Sequence, residues 1–105
     1  MGLISIAAFR ANPGMEADLL RVIDDRLPLL RRLGLATDRP AINCRSAGGV
    51  IITISEWSSR EAIDKAHHTP EVGALWERFF ACCEWVKLDA LPESHDDFAT
   101  FEAIS

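Results

Sequence analysis

The segment from residue 50 to residue 80 (VIITISEWSSREAIDKAHHTPEVGALWERFF) constrains the fold more than any other part of the chain. Its β-branched start, residues 50–54, is typical of a strand buried on both faces. Ser58, followed three residues later by Glu61, predicts a capping box at a helix start. Pro70 cannot continue that helix but suits the first position of another, with Thr69 as N-cap. The segment therefore predicts a strand, a helix over about 59–67, a break at 68–69 and a second helix over 70 to about 83.

The rest of the chain adds strands and one long helix around this segment. Asn12-Pro13-Gly14 is typical of a turn, in which Asn12 caps a helix. Gly34 suits the end of that helix, and Gly48-Gly49 a hairpin turn. Apolar spacing predicts a strand over 3–9, a helix over 15–33 that Pro28 kinks or splits, an edge-like strand over 41–46 and a last strand over 85–91. The order β-α-β-β-α-β is the ferredoxin-like arrangement, an α+β fold in which both helices cover one face of an antiparallel sheet.

The 105 residues predict a single domain over 1–105, with a packed C-terminal arm from about residue 93. The arm is acidic, yet Phe98, Phe101 and Ile104 are unusual in a free disordered end. We expect Phe98 and Phe101 to lie across a partner subunit or the rim of a barrel, since the helix-covered face of their own sheet is already occupied.

Both faces of the predicted sheet are apolar. Ile4 and Ile6 alternate with Ala7 and Phe9, so one helical layer covers only one of these two sets. A bare apolar face of this kind predicts a homodimer in which the sheet faces of two copies pack into a shared barrel.

Charge and cysteine usage narrow the classes of partner. A net charge of −5 argues against nucleic acid and against anionic membranes. The sequence has no apolar run long enough to span a membrane and no signal-peptide pattern, so we expect a cytoplasmic protein. Three cysteines without zinc-site spacing predict reduced, partly buried thiols and no metal site.

Over about residues 3–91 the chain resembles the antibiotic-biosynthesis monooxygenase superfamily of dimeric α+β barrel proteins. The residues that carry the resemblance, together with the Asn12-Pro13-Gly14 turn, are Glu56-Trp57, Ser58, Glu61-Ala62, His68, Pro70 and Trp76. The resemblance implies a small oxygenase acting on an apolar, electron-rich phenol or quinol. Such an enzyme deprotonates its substrate, whose carbanion reduces oxygen directly, so neither flavin nor metal is required and we expect no cofactor.

The chain also departs from this superfamily. It has no tyrosine, which oxygenases acting on polycyclic quinols place beside the substrate phenol, and residues 3–10 lack the first-strand asparagine of haem-degrading relatives. A second hypothesis is therefore a dimeric, non-catalytic ligand-binding or stress-associated protein. Haem binding through His67 or His68 is a third.

Two residues are candidate catalytic bases under the oxygenase hypothesis. Asp64 or Glu61, on the same helix face as His68, would orient its ring; alternatively, His68 satisfies the broken helix end. Glu56, late in an apolar strand, becomes a base if burial raises its pKa, but is a structural group if it is paired.

Four further residues are candidate substrate contacts. Trp57 and Trp76 are candidates for the walls of an apolar cavity between sheet and helices, although such aromatic residues are usually core. Asn43 and Arg45 share a strand face, on which Asn43 would hold a phenolate or carbonyl oxygen if it faces a cavity rather than solvent. Arg10 would bind an anionic substrate or form a surface ion pair.

Overall fold

A computed structural model of the chain describes residues 2–105, which form an α+β fold with a five-stranded antiparallel sheet and three α-helices. The strands lie in the order β4-β1-β3-β2-β5, which fits a ferredoxin-like type with one added strand. No helix within residues 2–105 has the length and apolar character to cross a membrane. The elements are β1 (Leu3–Ala11), α1 (Glu16–Arg32), β2 (Ile42–Arg45), β3 (Ile51–Trp57), α2 (Arg60–Ala66), α3 (Pro70–Cys82), β4 (Cys83–Val86) and β5 (Glu102–Ala103).

The main core lies between one face of the sheet and the helices α1 and α3. Phe9 of β1 stacks on Phe79 of α3 with ring centroids 4.8 Å apart, and both side chains are almost fully buried. Leu19 and Val22 of α1 and Ile51 of β3 complete the same cluster. The 3.6-residue spacing of apolar residues in both helices therefore predicts the covered face correctly.

The predicted helix break is confirmed, but the first cap lies one residue later than predicted. Ser59, not Ser58, is the N-cap of α2, and its hydroxyl accepts a hydrogen bond from the Ala62 N–H at 3.0 Å. Ser58 instead donates to the Gly34 carbonyl. Pro70 opens α3, as its fixed φ and missing N–H require.

The long helix α1 continues through Pro28, so of the two predicted outcomes, a kink or a split, the split is wrong. Leu27 and Leu30 are buried on either side of Pro28, and their packing holds both halves in one helix. Gly34 adopts φ 74° and ends the helix as predicted. The N-cap is Met15 rather than Asn12, because residues 12–15 form a turn closed by the Met15 N–H on the Asn12 carbonyl.

The last predicted strand is shorter than expected. β4 follows α3 directly and ends at Val86, after which the chain forms two 3₁₀ turns, Leu88–Ala90 and Pro92–His95. Pro92 opens the second turn and has no N–H for a sheet. The strand β2 is an inner strand rather than an edge, because β5 pairs with it.

Residues 87–105, here called the arm, cross the sheet from one edge to the other. The arm leaves β4 at one edge and ends in β5 at the opposite edge, on the sheet face opposite the helices, here called the open face. Leu91, which is 3% exposed, and Phe101 pack there with Ala8 and Ile52. Phe101 thus packs on the open face of its own sheet, while the expectation that it reaches a partner or barrel rim stays a prediction. The sequence argument considered only the helix-covered face.

A buried carboxylate fastens the arm to the β2–β3 hairpin. The side chain of Glu93 accepts hydrogen bonds from the Ala47 N–H at 2.8 Å and from the Ser46 hydroxyl at 2.8 Å. Glu93 is 8% exposed, and these donors, the Ala47 N–H first, hold its pKa below the ordinary value of 4.5.

This contact predicts an acid-dependent loss of stability. A carboxylate whose pKa is lower in the folded than in the unfolded chain stabilises the fold at every pH above its pKa in the unfolded chain. That contribution is lost as the pH falls through its pKa in the folded chain. Urea unfolding between pH 7 and pH 3 should therefore show a smaller loss of free energy of unfolding for Glu93→Gln than for the wild type. An equal loss in Glu93→Gln and in Asp96→Gln, a control at an exposed position three residues beyond Glu93, would contradict this role.

Candidate functional site

An apolar groove lies between the open face and the arm, with a volume of about 210 Å³. The open face contributes isoleucines to one side of the groove, and the arm contributes apolar side chains and one serine to the other side. The lining residues are Ile6, Ile52, Ile54, Leu88, Leu91, Ser94, Ala99 and Phe101. None of these side chains titrates, so the groove offers apolar contact and a single hydroxyl but no proton acceptor of its own.

The predicted histidine site does not coincide with this groove. His68 is exposed, and it lies in the turn between α2 and α3, where its backbone N–H donates to the Lys65 carbonyl at 3.0 Å. The ring of His67 lies 5.0 Å from that of Trp76. The structure thus places His68 at the broken helix end, in agreement with the structural alternative for this residue.

Glu56 is a paired carboxylate rather than a poised base. The Thr37 hydroxyl donates to Oε1 at 2.7 Å, and Nε of Arg39 lies 3.2 Å from the same oxygen. The Thr37 hydrogen bond, with the Arg39 charge in support, holds the pKa of Glu56 below its ordinary value. Of the two alternatives for Glu56, these contacts agree with the paired structural group, because donors to the charged form outweigh desolvation.

The two tryptophans were expected to line a cavity, but their side chains occupy that space. Trp57 is 9% exposed and packs among Leu30, Leu35 and Val72, while its indole N–H donates to the Ser5 hydroxyl at 3.2 Å. Trp76 is half-buried and joins the same cluster. These contacts are those of core residues, so the predicted cavity between sheet and helices is occupied by side chains.

Besides Glu93, sequence reasoning missed a second buried charged group, Arg26. Its guanidinium donates to the Ser55 hydroxyl at 3.0 Å and lies 5.5 Å from the centre of the Trp57 ring. The ion pairs found within residues 2–105 do not include it, and burial lowers its pKa. Arg26 lies on the apolar face of α1, at a helical spacing from Leu19, Val22 and Ile23, and this position is the signal that could have revealed it.

Asn43 and Arg45 share a strand face, as the alternation predicts, and line a second cavity of about 210 Å³ beside α1. Their side-chain donors are already engaged. The Asn43 amide donates to the Ser105 hydroxyl at 2.7 Å, and Arg45 is paired with both Glu16 and Glu102. The Asn43 carbonyl oxygen is buried without a donor among residues 2–105, and an acceptor in that position repels an oxyanion.

Arg10 lies beside the Asn12-Pro13-Gly14 turn and borders an open cleft of about 410 Å³. Its guanidinium forms an exposed ion pair with Glu84, at 3.0 Å. This contact agrees with the surface-pair alternative for Arg10. Of the six residues predicted to form the site, none lines the arm groove.

The thiols and the metal-ligating side chains form no second site within residues 2–105. Cys44, Cys82 and Cys83 are free and buried, and burial raises the pKa of the Cys83 thiol to about 12, with Cys82 adding to the shift. No group of three or more histidine, cysteine, aspartate or glutamate residues in this range could hold a metal ion.

Comparisons of the chain with protein-family models, with curated proteins and with solved structures give no match. The resemblance to the antibiotic-biosynthesis monooxygenase superfamily therefore stays a prediction from the residues around Glu56-Trp57, His68 and Trp76. The arm groove is the candidate functional site on physical grounds alone.

Proposed function

We propose that the protein binds a small, uncharged, apolar molecule in the arm groove and acts as a binding module. The observation that carries the proposal is the lining, which combines apolar side chains from three parts of the chain, β1, β3 and the arm, and leaves about 210 Å³ between them. Apolar cavities of this kind hold water poorly and accept aromatic molecules. The non-catalytic hypothesis is therefore favoured over the oxygenase hypothesis.

The size and chemistry of the groove define the class of ligand. Sites for drug-sized molecules run from roughly 300 Å³ upward, whereas about 150 Å³ suffices for benzene. A volume of about 210 Å³ suits a ligand with a single ring, with two fused rings or with a short aliphatic chain. Desolvating a charge without a partner is costly, so a neutral ligand with at most one polar group, directed at Ser94, is expected.

A calorimetric titration with 1-naphthol tests the proposal. We expect a dissociation constant on the order of 100 μM, from the usual free energy per ligand atom, and no binding of 1-naphthalenesulfonate. Ala99→Trp fills the groove and should abolish binding, while Ala103→Trp, on the same arm outside the groove, should leave it unchanged. Equal affinity in the two variants, or no binding to the wild type, would defeat the proposal.

An oxygenase would need a proton acceptor beside its substrate, and neither the lining of the groove nor the exposed His68 supplies one. Oxygen uptake with 1-naphthol and with naphthalene quinols separates the two functions. The binding module predicts no uptake above the enzyme-free rate. Uptake that His68→Ala abolishes would instead support the oxygenase.

The proposal includes a homodimer made through the open faces, in a dimeric α+β barrel. The support is the part of the open face that the arm leaves bare, where Ile4, Ile6 and Ile42 are 56%, 48% and 57% exposed. These side chains form a contiguous group, because Ile6 and Ile42 both lie opposite Ile54 in the sheet register and Ile4 lies two residues from Ile6.

Ile42→Lys should raise the dimer dissociation constant roughly tenfold or more, since a buried interface does not tolerate an unpaired charge. Ala81→Lys adds the same charge on the exposed side of α3 and should leave the dimer intact. Sedimentation equilibrium at low micromolar concentration measures both. A monomeric, folded wild type, or equal dissociation constants for the two variants, would refute the open-face dimer.

A further inference from the structure

Phe98 is the most exposed large apolar side chain among residues 2–105, at 90%. It belongs to a run of exposed residues, 94–100, between two anchored parts of the arm. On one side Glu93 is held by Ser46 and Ala47, and on the other Phe101 packs on the open face and β5 pairs with β2. Ser94 and Ala99, inside the run, line the groove.

We propose that residues 94–100 form a lid that closes over a ligand in the arm groove, with Phe98 as the side chain that covers it. This inference rests on the proposed function, because it assigns a closing element to the same site. The anchors on both sides confine the movement to the exposed run, in which Ser94 and His95 belong to the second 3₁₀ turn and the exposed residues 96–100 follow it.

The position of Phe98 supports this role. It directly precedes Ala99, which lines the groove, so Phe98 is next to the groove along the chain and closure requires its ring to turn toward the groove entrance. Burying a fully hydrated phenylalanine ring is favourable, and a ligand in the groove adds apolar surface against which the ring can be buried. A filled groove therefore favours the closed position of the lid over the open one.

The experiment compares Phe98→Ala with Phe80→Ala, whose side chain is 67% exposed on α3, away from the groove. Calorimetry with 1-naphthol should give about tenfold weaker binding for Phe98→Ala, equivalent to about 1.4 kcal/mol, and wild-type binding for Phe80→Ala. Both variants should keep the wild-type free energy of unfolding. Amide hydrogen exchange at 94–100 should slow on addition of 1-naphthol in the wild type and much less in Phe98→Ala.

The outcomes separate the lid from the proposed function. If the wild type binds 1-naphthol and Phe98→Ala binds it equally well, the lid is wrong and the binding site stands. If the wild type binds no apolar probe, both are wrong. If Phe98→Ala keeps its affinity for 1-naphthol but dissociates the dimer, Phe98 is an intersubunit contact and the lid is overturned.

Discussion

Phe79→Ala should lower the free energy of unfolding by about 3–5 kcal/mol, the usual cost of removing a fully buried phenylalanine. The ring of Phe79 is 1% exposed, stacks on Phe9, and lies 5.5 Å from the Trp85 ring. Its loss leaves a cavity where the helix α3 packs on the strands β1 and β4 of the sheet.

The neighbouring residue provides the control for this prediction. Phe80→Ala removes the same atoms from a side chain that is 67% exposed and should change the free energy of unfolding by less than about 1 kcal/mol. Urea unfolding followed by far-UV circular dichroism measures both. Similar values for the two variants would mean that the face of α3 turned toward the sheet has been assigned incorrectly.

Leu91→Ala should cost about 2–5 kcal/mol and also loosen the arm. Leu91 is 3% exposed and packs on the open face between Glu93 and the first 3₁₀ turn, so its side chain joins the arm to the sheet. Because Leu91 also lines the groove, the variant should bind 1-naphthol more weakly than the wild type.

Leu88 is the matched control in the same arm. It is 43% exposed, and Leu88→Ala should lower stability by less than about 1 kcal/mol. Chemical denaturation and amide exchange over residues 87–105 report the two effects together. A Leu91→Ala protein as stable as Leu88→Ala, with unchanged exchange in the arm, would contradict the packing of the arm on the open face.

The elements were predictable where local chemistry determines them. Pro70 marks the start of α3, because its φ is fixed and it has no N–H to donate, and Gly34 marks the end of α1, because few other residues adopt φ 74°. Pro28 was misleading because tertiary packing of Leu27 and Leu30 outweighs its local cost. Ser58 and Ser59 are both competent caps, and the sequence does not determine which one is used.

The candidate site was less predictable, because it depends on contacts between distant parts of the chain. Glu56 has a lowered pKa only because Thr37 and Arg39 fold back onto it, and no pattern near residue 56 reveals them. The apolar residues of the arm did indicate packing, but the arm has no periodicity that specifies a sheet face. The groove follows from the crossing of Leu91 and Phe101 over Ile52, a contact of high sequence separation.

Isoleucine methyl resonances test the central claim most directly, namely that the arm groove is a ligand site. With selectively ¹³C-labelled isoleucine methyl groups, a titration with 1-naphthol should shift the signals of Ile6, Ile52 and Ile54, which line the groove. The signals of Ile23 and Ile51, buried on the opposite side of the sheet, serve as internal controls and should stay in place. Shifts confined to the groove isoleucines are the predicted result. Unchanged groove signals at millimolar 1-naphthol, or equal shifts on both sides of the sheet, would contradict the account.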